Sequence, residues 1–267
     1  MTKLHGPSLV DFLTLSSKRI IKEINDNNCR YYIFSSEHLG KLRTQDEVLR
    51  LQQFLSEFFS DFKIIYYARH PWSACASKIA EQVKVNAHDL YTLVRAADPI
   101  FDRFESDLAI WQAVFPNQIY VREFSPSRLA QVDLVDDFLE TTIGKSVFLP
   151  ARTKRISANE SLSLEALLLA NCITKYYPKG SDARPSSRNL TAILSKIKGR
   201  KFSLPRRMYE ILDLESMSDL RYLLTNYSIE LQKPSVVPIE IEEYASFSAE
   251  AIDSLAILVT SIAECGG

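Results

Sequence analysis

The sequence predicts an α/β fold, with a three-layer parallel sheet followed by a helical C-terminal region. The first observation is a set of short apolar runs rich in β-branched and aromatic residues, at Tyr31–Ser35, Lys63–Arg69 and Gln118–Glu123. Such runs are typical of strands buried on both faces of a sheet. The second is that helical patterns separate the runs, which favours parallel strands joined by right-handed crossovers. The third is that the chain beyond about Leu149 carries helical and loop patterns.

Helices are predicted where apolar residues recur at helical spacing between turn-forming residues. The chain is predicted to divide into an α/β region, residues 1–148, and a helical region, residues 149–267, that packs on it. The boundary falls in the basic, irregular segment 150–155. The predicted helices of the first region are Ser8–Asn27, Asp46–Phe59, Pro71–Val85, Pro99–Val114 and Leu129–Thr142, and those of the second are Ser161–Tyr177, Ser187–Ile197, Pro205–Leu214, Ser218–Glu230 and Ala249–Glu264.

Composition narrows the classes of function. The chain has 267 residues, a formal net charge of −1 and 24% charged residues, which argues against a nucleic-acid-binding protein. Its four cysteines are widely scattered and form no C-x-x-C pair, so neither a zinc site nor a disulfide framework is predicted. No apolar stretch has transmembrane length, and the N-terminus lacks the uninterrupted apolar core of a secretory signal. We therefore expect a cytoplasmic protein.

The stretch Lys63–Lys84 carries the strongest local pattern. An apolar strand ends at Arg69 and His70, and Pro71 then suits the first turn of a helix because it has no N–H to lose there. Open α/β sheets bind ligands at the carboxyl ends of their strands. Free N–H groups at a helix N-terminus, together with an arginine, attract anions. The stretch therefore predicts an anion site at Arg69.

Arg69, with Ser77 eight positions later, resembles the 3′-phosphate-binding element of sulfotransferases that use 3′-phosphoadenosine 5′-phosphosulfate (PAPS). The resemblance implies that Arg69 and Ser77 hold the 3′-phosphate of this nucleotide. A serine on the second turn of the helix can face back towards the strand end. Alternatively, Arg69 is an ordinary charge at a strand end and Ser77 is a small packing residue.

The preceding apolar run is followed by Glu37 and His38. In the sulfotransferases that the chain resembles, the corresponding strand ends with the catalytic base, which implies Glu37 as the base and His38 as the second choice. Such a group takes the proton from the acceptor hydroxyl as the hydroxyl attacks sulfur. Alternatively, Glu37 caps the next turn and His38 is a surface residue.

Three other segments are similar to the same family. The helix containing Trp111 precedes the strand Gln118–Glu123, and the segment Val135–Leu139 resembles a helix that follows this strand in the family. The later basic loop contains Lys198 and Arg200, where the family often has a basic loop near the nucleotide. The resemblance thus adds Lys198 and Arg200 to the nucleotide-binding residues, although a basic loop can also be simply a solvated loop.

The resemblance implies a P-loop sulfotransferase fold that transfers sulfate from PAPS, as co-substrate and without a metal, to a hydroxyl of a carbohydrate or small molecule. The family's Lys-x-Gly-Thr-Thr loop, which would hold the 5′-phosphosulfate, does not occur before Glu37. We therefore expect little or no sulfate transfer, from a chain that is N-terminally shortened or whose sheet is rebuilt. The alternative is a non-catalytic nucleotide-binding remnant or an interaction scaffold. The sequence predicts no oligomeric state.

Overall fold

The computed structural model describes residues 9–27, 29–36, 39–86, 88–125, 134–144, 161–176, 180, 187–245 and 247–255. Within these ranges the chain is an α/β protein that is mostly helical, which confirms the predicted class. The described strands form a single two-stranded parallel sheet. None of the described helices is both long enough and apolar enough to cross a membrane.

The described helices and strands are numbered in chain order, and residues 249–255 are helical as well. The elements are α1 (Leu9–Asp26), a 3₁₀ helix (Leu39–Lys41), α2 (Gln45–Ser56), β1 (Ile64–Ala68), α3 (Pro71–Asn86), α4 (Leu90–Val94), α5 (Phe104–Val114), β2 (Ile119–Glu123), α6 (Leu134–Ile143), α7 (Leu164–Tyr176), α8 (Ser187–Leu194), α9 (Arg206–Glu215), α10 (Met217–Tyr227) and a second 3₁₀ helix (Ile241–Ala245).

The chain divides into two compact units. The first unit comprises Met1–Phe62 and Ile110–Gln118, and the second comprises Lys63–Ala109 and Ile119–Gly267. The boundary predicted near residue 148 lies outside the described residues.

In the first unit, the predicted strand Tyr31–Ser35 is not a strand, because residues 31–36 have neither helix nor strand geometry. Tyr32 and Phe34 instead pack their rings on Phe59, with centroid distances of 5.2 and 6.0 Å. Tyr31 and Ile33 are exposed. A strand needs a neighbour for its backbone hydrogen bonds, and an apolar aromatic run does not by itself supply one.

Helix α2 begins with a capping box. Thr44 Oγ1 accepts a hydrogen bond from Glu47 N at 3.3 Å, and Glu47 Oε2 accepts one from Thr44 N at 3.1 Å. The sequence interpretation started this helix at Asp46 and overlooked the box. At its far side, α2 contacts the rest of the first unit through Gln52 Nε2, which donates to the carbonyl of Val114 at 2.9 Å.

The Thr44→Ala variant is expected to lose about 1 kcal/mol of unfolding free energy, because one backbone N–H at the start of α2 loses its acceptor. Urea unfolding followed by circular dichroism measures the loss. Thr44→Ser keeps the hydroxyl and should stay close to the wild type. Equal midpoints for alanine and the wild type would show that water replaces the cap at no cost.

In the second unit, β1 and β2 pair in parallel from Ile64 opposite Ile119 to Ala68 opposite Glu123, as predicted for these two runs. Phe124 N continues the pairing by donating to the carbonyl of Ala68 at 2.7 Å. Buried residues of the sheet, α5 and α10 form one apolar cluster around Ala68, Phe104, Leu108, Val121, Leu223 and Leu231.

Helix α6 is tied to the sheet by its buried carboxylate Asp137. Tyr67 on β1 donates its hydroxyl hydrogen to Asp137 at 2.8 Å. Arg122 on β2 donates to both oxygens of the same carboxylate. The bonds to Asp137 raise the pKa of the Arg122 guanidinium further, so this guanidinium stays charged. One acid therefore joins both strands to the helix that follows them.

The larger apolar core of the second unit lies among helices. It is formed mainly by α3, α4, α7, α8 and α9 and includes the fully buried Cys75, which lies 4.0 Å from the sulfur of Met208. The helices predicted for this region are present, although their ends differ by a few residues. The short helix α4 was not predicted, and Asp89 caps it by accepting from Thr92 N at 2.7 Å.

Candidate functional site

The candidate site lies where β1 ends and α3 begins. The carbonyl of His70 accepts hydrogen bonds from Ser73 N and Ala74 N, both at 3.0 Å, and His70 Nδ1 accepts one from Trp72 N at 3.2 Å. His70 therefore caps α3 with both its backbone and its side chain, and Pro71 occupies the first turn as predicted. The positive end of this 16-residue helix points at the strand end.

Arg69 is half-buried at this point. Its Nε donates to Ser73 Oγ at 3.1 Å, and its guanidinium carbon lies 5.6 Å from the centre of the Phe124 ring. Burial lowers the pKa of Arg69, and the negative charge of Asp102 counteracts part of that shift. Within the described ranges, the two terminal amino groups of Arg69 make no hydrogen bond. The guanidinium is therefore partly desolvated and has donors to spare.

Ser73, and not Ser77, is the serine that contacts Arg69. Ser73 Oγ also donates to the carbonyl of His70 at 3.0 Å, so this hydroxyl fixes the guanidinium against the start of α3. Ser77 is exposed one turn further along the same helix face. Its predicted role at a phosphate stays a prediction. The spacing of four residues from Arg69 to Ser73 was the signal that the sequence interpretation missed.

Glu37 and His38, the predicted catalytic bases, lie outside the described residues. Their predicted role as the catalytic base therefore stays a prediction.

His70 is a site residue that sequence reasoning used only to mark the end of the strand. It is 7% exposed, and its pKa is lowered to about 4 by burial and by Lys233, against the opposing effect of Asp213 and Glu123. The imidazole is therefore neutral near pH 7. Because Nδ1 accepts from Trp72 N, the ring proton sits on Nε2.

An irregular segment of the chain passes this end of the sheet. Lys233 Nζ lies 2.8 Å from Asp213 Oδ2 and 3.9 Å from the centre of the Trp72 ring, while Trp72 Nε1 donates to Asp213 Oδ1 at 2.9 Å. The neighbouring Gln232 N donates to Glu123 at 3.1 Å. Lys233 thus contacts Trp72, which follows β1, and Gln232 contacts Glu123, which ends β2.

The other two predicted nucleotide-binding residues line a cavity of about 450 Å³ in the second unit. Lys198 is exposed there, whereas Arg200 donates from its backbone N and from Nε to the buried Glu165, both at 2.9 Å. The lining of this cavity includes neither Arg69 nor Ser77. The predicted nucleotide-binding residues therefore lie at two places: Arg69 and Ser77 are on the stretch where β1 ends and α3 begins, and Lys198 and Arg200 line the cavity.

The arrangement at Arg69 can bind an anion through unpaired N–H donors, a helix N-terminus and a desolvated positive charge. Across the described ranges, no three His, Cys, Asp or Glu side chains lie close enough together to hold a metal ion. Neither a known protein family, nor a curated protein, nor a solved structure matches this chain.

Proposed function

We propose that this chain is a sulfotransferase-like protein that binds the 3′-phosphate of a PAPS-type nucleotide at Arg69. One observation carries the proposal: the terminal amino groups of a half-buried arginine are unpaired, within the described residues, at the carboxyl end of a parallel strand. This is the position at which open α/β sheets bind ligands. The proposal takes β1 and β2 as neighbouring strands of a three-layer sheet of the P-loop sulfotransferase type.

The electrostatics at Arg69 favour a phosphate. Burial makes the charged guanidinium costly, as the direction of its pKa shift indicates, and a bound dianion would offset that cost. Ser73 already holds Nε, so little side-chain entropy is lost when the terminal amino groups engage a ligand. The helix N-terminus at Pro71 adds partial positive charge.

In the proposed reaction, the acceptor oxygen forms a bond to sulfur while the bond from sulfur to the nucleotide phosphate breaks. The acceptor proton passes to Glu37, with His38 as the second choice, and adenosine 3′,5′-bisphosphate leaves. The acceptor is a hydroxyl of a carbohydrate or small molecule.

A second candidate function is a non-catalytic protein that binds the nucleotide without transferring sulfate. The observation that favours it is that the contacts at Arg69 suffice for binding, whereas transfer also needs a base and a group that stabilises the leaving phosphate. Both candidates use the same 3′-phosphate contact.

Replacing Arg69 with alanine is expected to weaken binding of adenosine 3′,5′-bisphosphate roughly ten- to a hundredfold, because a hydrogen bond to a charged group is worth about 1.5–3 kcal/mol. Ser77→Ala should cost less, since it removes a neutral donor that water can replace. Isothermal titration calorimetry measures both. Arg221→Ala removes an exposed cation elsewhere in the second unit and serves as the matched control.

Adenosine 5′-monophosphate, which lacks the 3′-phosphate, should be insensitive to the Arg69 change. The proposal fails if the wild type binds neither nucleotide at millimolar concentration. It also fails if Arg69→Ala and Arg221→Ala have the same effect.

A further inference from the structure

A second candidate site lies in the cavity of about 450 Å³ described above, whose volume is in the range of small-molecule pockets. Its lining includes three cations, two exposed serines and one acid: Lys198, Arg200, Lys201, Ser161, Ser195 and Glu250. Lys198 and Lys201 are exposed, and within the described residues neither ammonium group has an ion-pair partner. The cavity therefore offers unpaired positive charge next to hydroxyl groups.

The buried Glu165 holds the loop that carries these cations. Glu165 is fully buried, and its carboxylate accepts from Arg200 N and Nε, both at 2.9 Å, and from Ser248 N at 3.3 Å. Burial alone would raise the pKa of Glu165, but the bonds from Arg200 and Ser248 outweigh it and lower the pKa. The carboxylate therefore stays charged and fixes Arg200.

Backbone contacts fix the same loop on the other side. Leu164 N donates to the carbonyl of Arg200 at 2.8 Å, and Ser163 Oγ donates to the carbonyl of Ile197 at 2.8 Å. Gly199 packs so closely against the Glu165 carboxylate that an added Cβ would clash with it. The backbone of the loop and the side chain of Arg200 are thus held before a ligand arrives, which reduces the entropy lost on binding.

The chemistry of the lining selects the class of ligand. Six of the twelve residues 196–207 are Lys or Arg and none is acidic, although the whole chain has a formal net charge of −1. None of the described residues that line the cavity is aromatic, so they offer no surface on which a nucleobase could stack. Lysines suit a tetrahedral oxyanion, while the serines and Glu250 suit the hydroxyl groups of a sugar.

We infer that this cavity binds a sugar-sized molecule carrying a phosphate or sulfate ester, with the ester group at Lys198 and Lys201. Arg200 lies beside them as a cation fixed by Glu165. The inference does not rest on the proposed nucleotide site, because it uses none of the residues around Arg69.

The test is calorimetric titration of the full chain with glucose 6-phosphate and glucose 6-sulfate, with glucose as the neutral reference. The double variant Lys198→Glu/Lys201→Glu is expected to weaken binding of whichever ester binds by more than about tenfold, since two charge-assisted contacts are lost. Lys196→Glu, which makes half of that charge change on the same segment but outside the cavity lining, should change affinity by less than about threefold.

Each titration has a result that supports the inference or contradicts it. Binding of both esters indicates recognition of the oxyanion, and binding of one indicates which ester the site takes. Failure of both esters to bind at millimolar concentration overturns the inference, as does an equal loss in Lys196→Glu, which would mean diffuse attraction. Arg69→Ala should leave ester binding unchanged, and a loss there would assign the ester to the other site. Ester binding without nucleotide binding would leave this inference standing while the proposed function fails.

Discussion

Glu165→Ala is expected to destabilise the protein by about 2–4 kcal/mol, because it removes a fully buried carboxylate together with the hydrogen bonds that this carboxylate accepts. Glu165 is 0% exposed, and its carboxylate accepts from Arg200 and Ser248. Two of these hydrogen bonds come from backbone N–H groups, those of Arg200 and Ser248. Urea unfolding followed by circular dichroism measures the loss.

Glu250→Ala is the matched control, since it removes an exposed acid at the same cavity and should change stability by less than about 0.5 kcal/mol. The double variant Glu165→Ala/Arg200→Ala should lose less stability than the sum of the two single variants, because each single variant already removes the contact between the two side chains. Additive effects would show that Glu165 and Arg200 do not act as a pair.

The second large effect is a loss of stability on acidification that His70 causes. The pKa of His70 is about 4 in the folded protein and about 6.5 when unfolded. Between these values the unfolded chain binds a proton that the folded protein does not. The stability is therefore fully present above pH ~6.5 and is lost as the pH falls from there to about 4. The difference of about 2.5 pKa units corresponds to on the order of 3 kcal/mol.

Unfolding free energies measured from pH 7.5 to pH 4 in wild type and His70→Asn should reveal this loss. Asparagine keeps an oxygen that can accept from Trp72 N, so helix α3 stays capped, but it does not titrate. The variant should lack the part of the pH dependence that His70 contributes. His88→Asn alters an exposed histidine and should leave the dependence intact. Identical profiles for wild type and His70→Asn would contradict the assignment.

The strands Ile64–Ala68 and Ile119–Glu123 lie within the predicted runs Lys63–Arg69 and Gln118–Glu123, which are short and rich in β-branched and aromatic residues. The same reasoning was wrong for Tyr31–Ser35. An apolar run shows that a segment prefers burial, but the pairing of a strand depends on a neighbour that is distant in the chain. The helices were easier to predict than the strands, because their hydrogen bonds are local and their apolar stripes have a defined period.

The candidate sites likewise combine features that a local sequence pattern predicts with contacts that it does not. Arg69 and the start of α3 were predictable from one continuous stretch, since a strand end and Pro71 fix them locally. The contact between Glu165 and Arg200 joins residues 35 positions apart, and no local pattern pairs them. The one available signal was an acid inside the apolar run Leu162–Ala170, where a buried charge needs a partner.

The two tryptophans of the chain lie in different compact units, Trp111 in the first and Trp72 in the second. Trp72 stands beside a lysine ammonium and donates to a carboxylate, whereas Trp111 stacks on Phe115. Their indole rings therefore experience different electric fields. Replacing either with phenylalanine leaves a single tryptophan, whose fluorescence reports on one unit. Fluorescence can thus show whether the two units unfold together or one after the other.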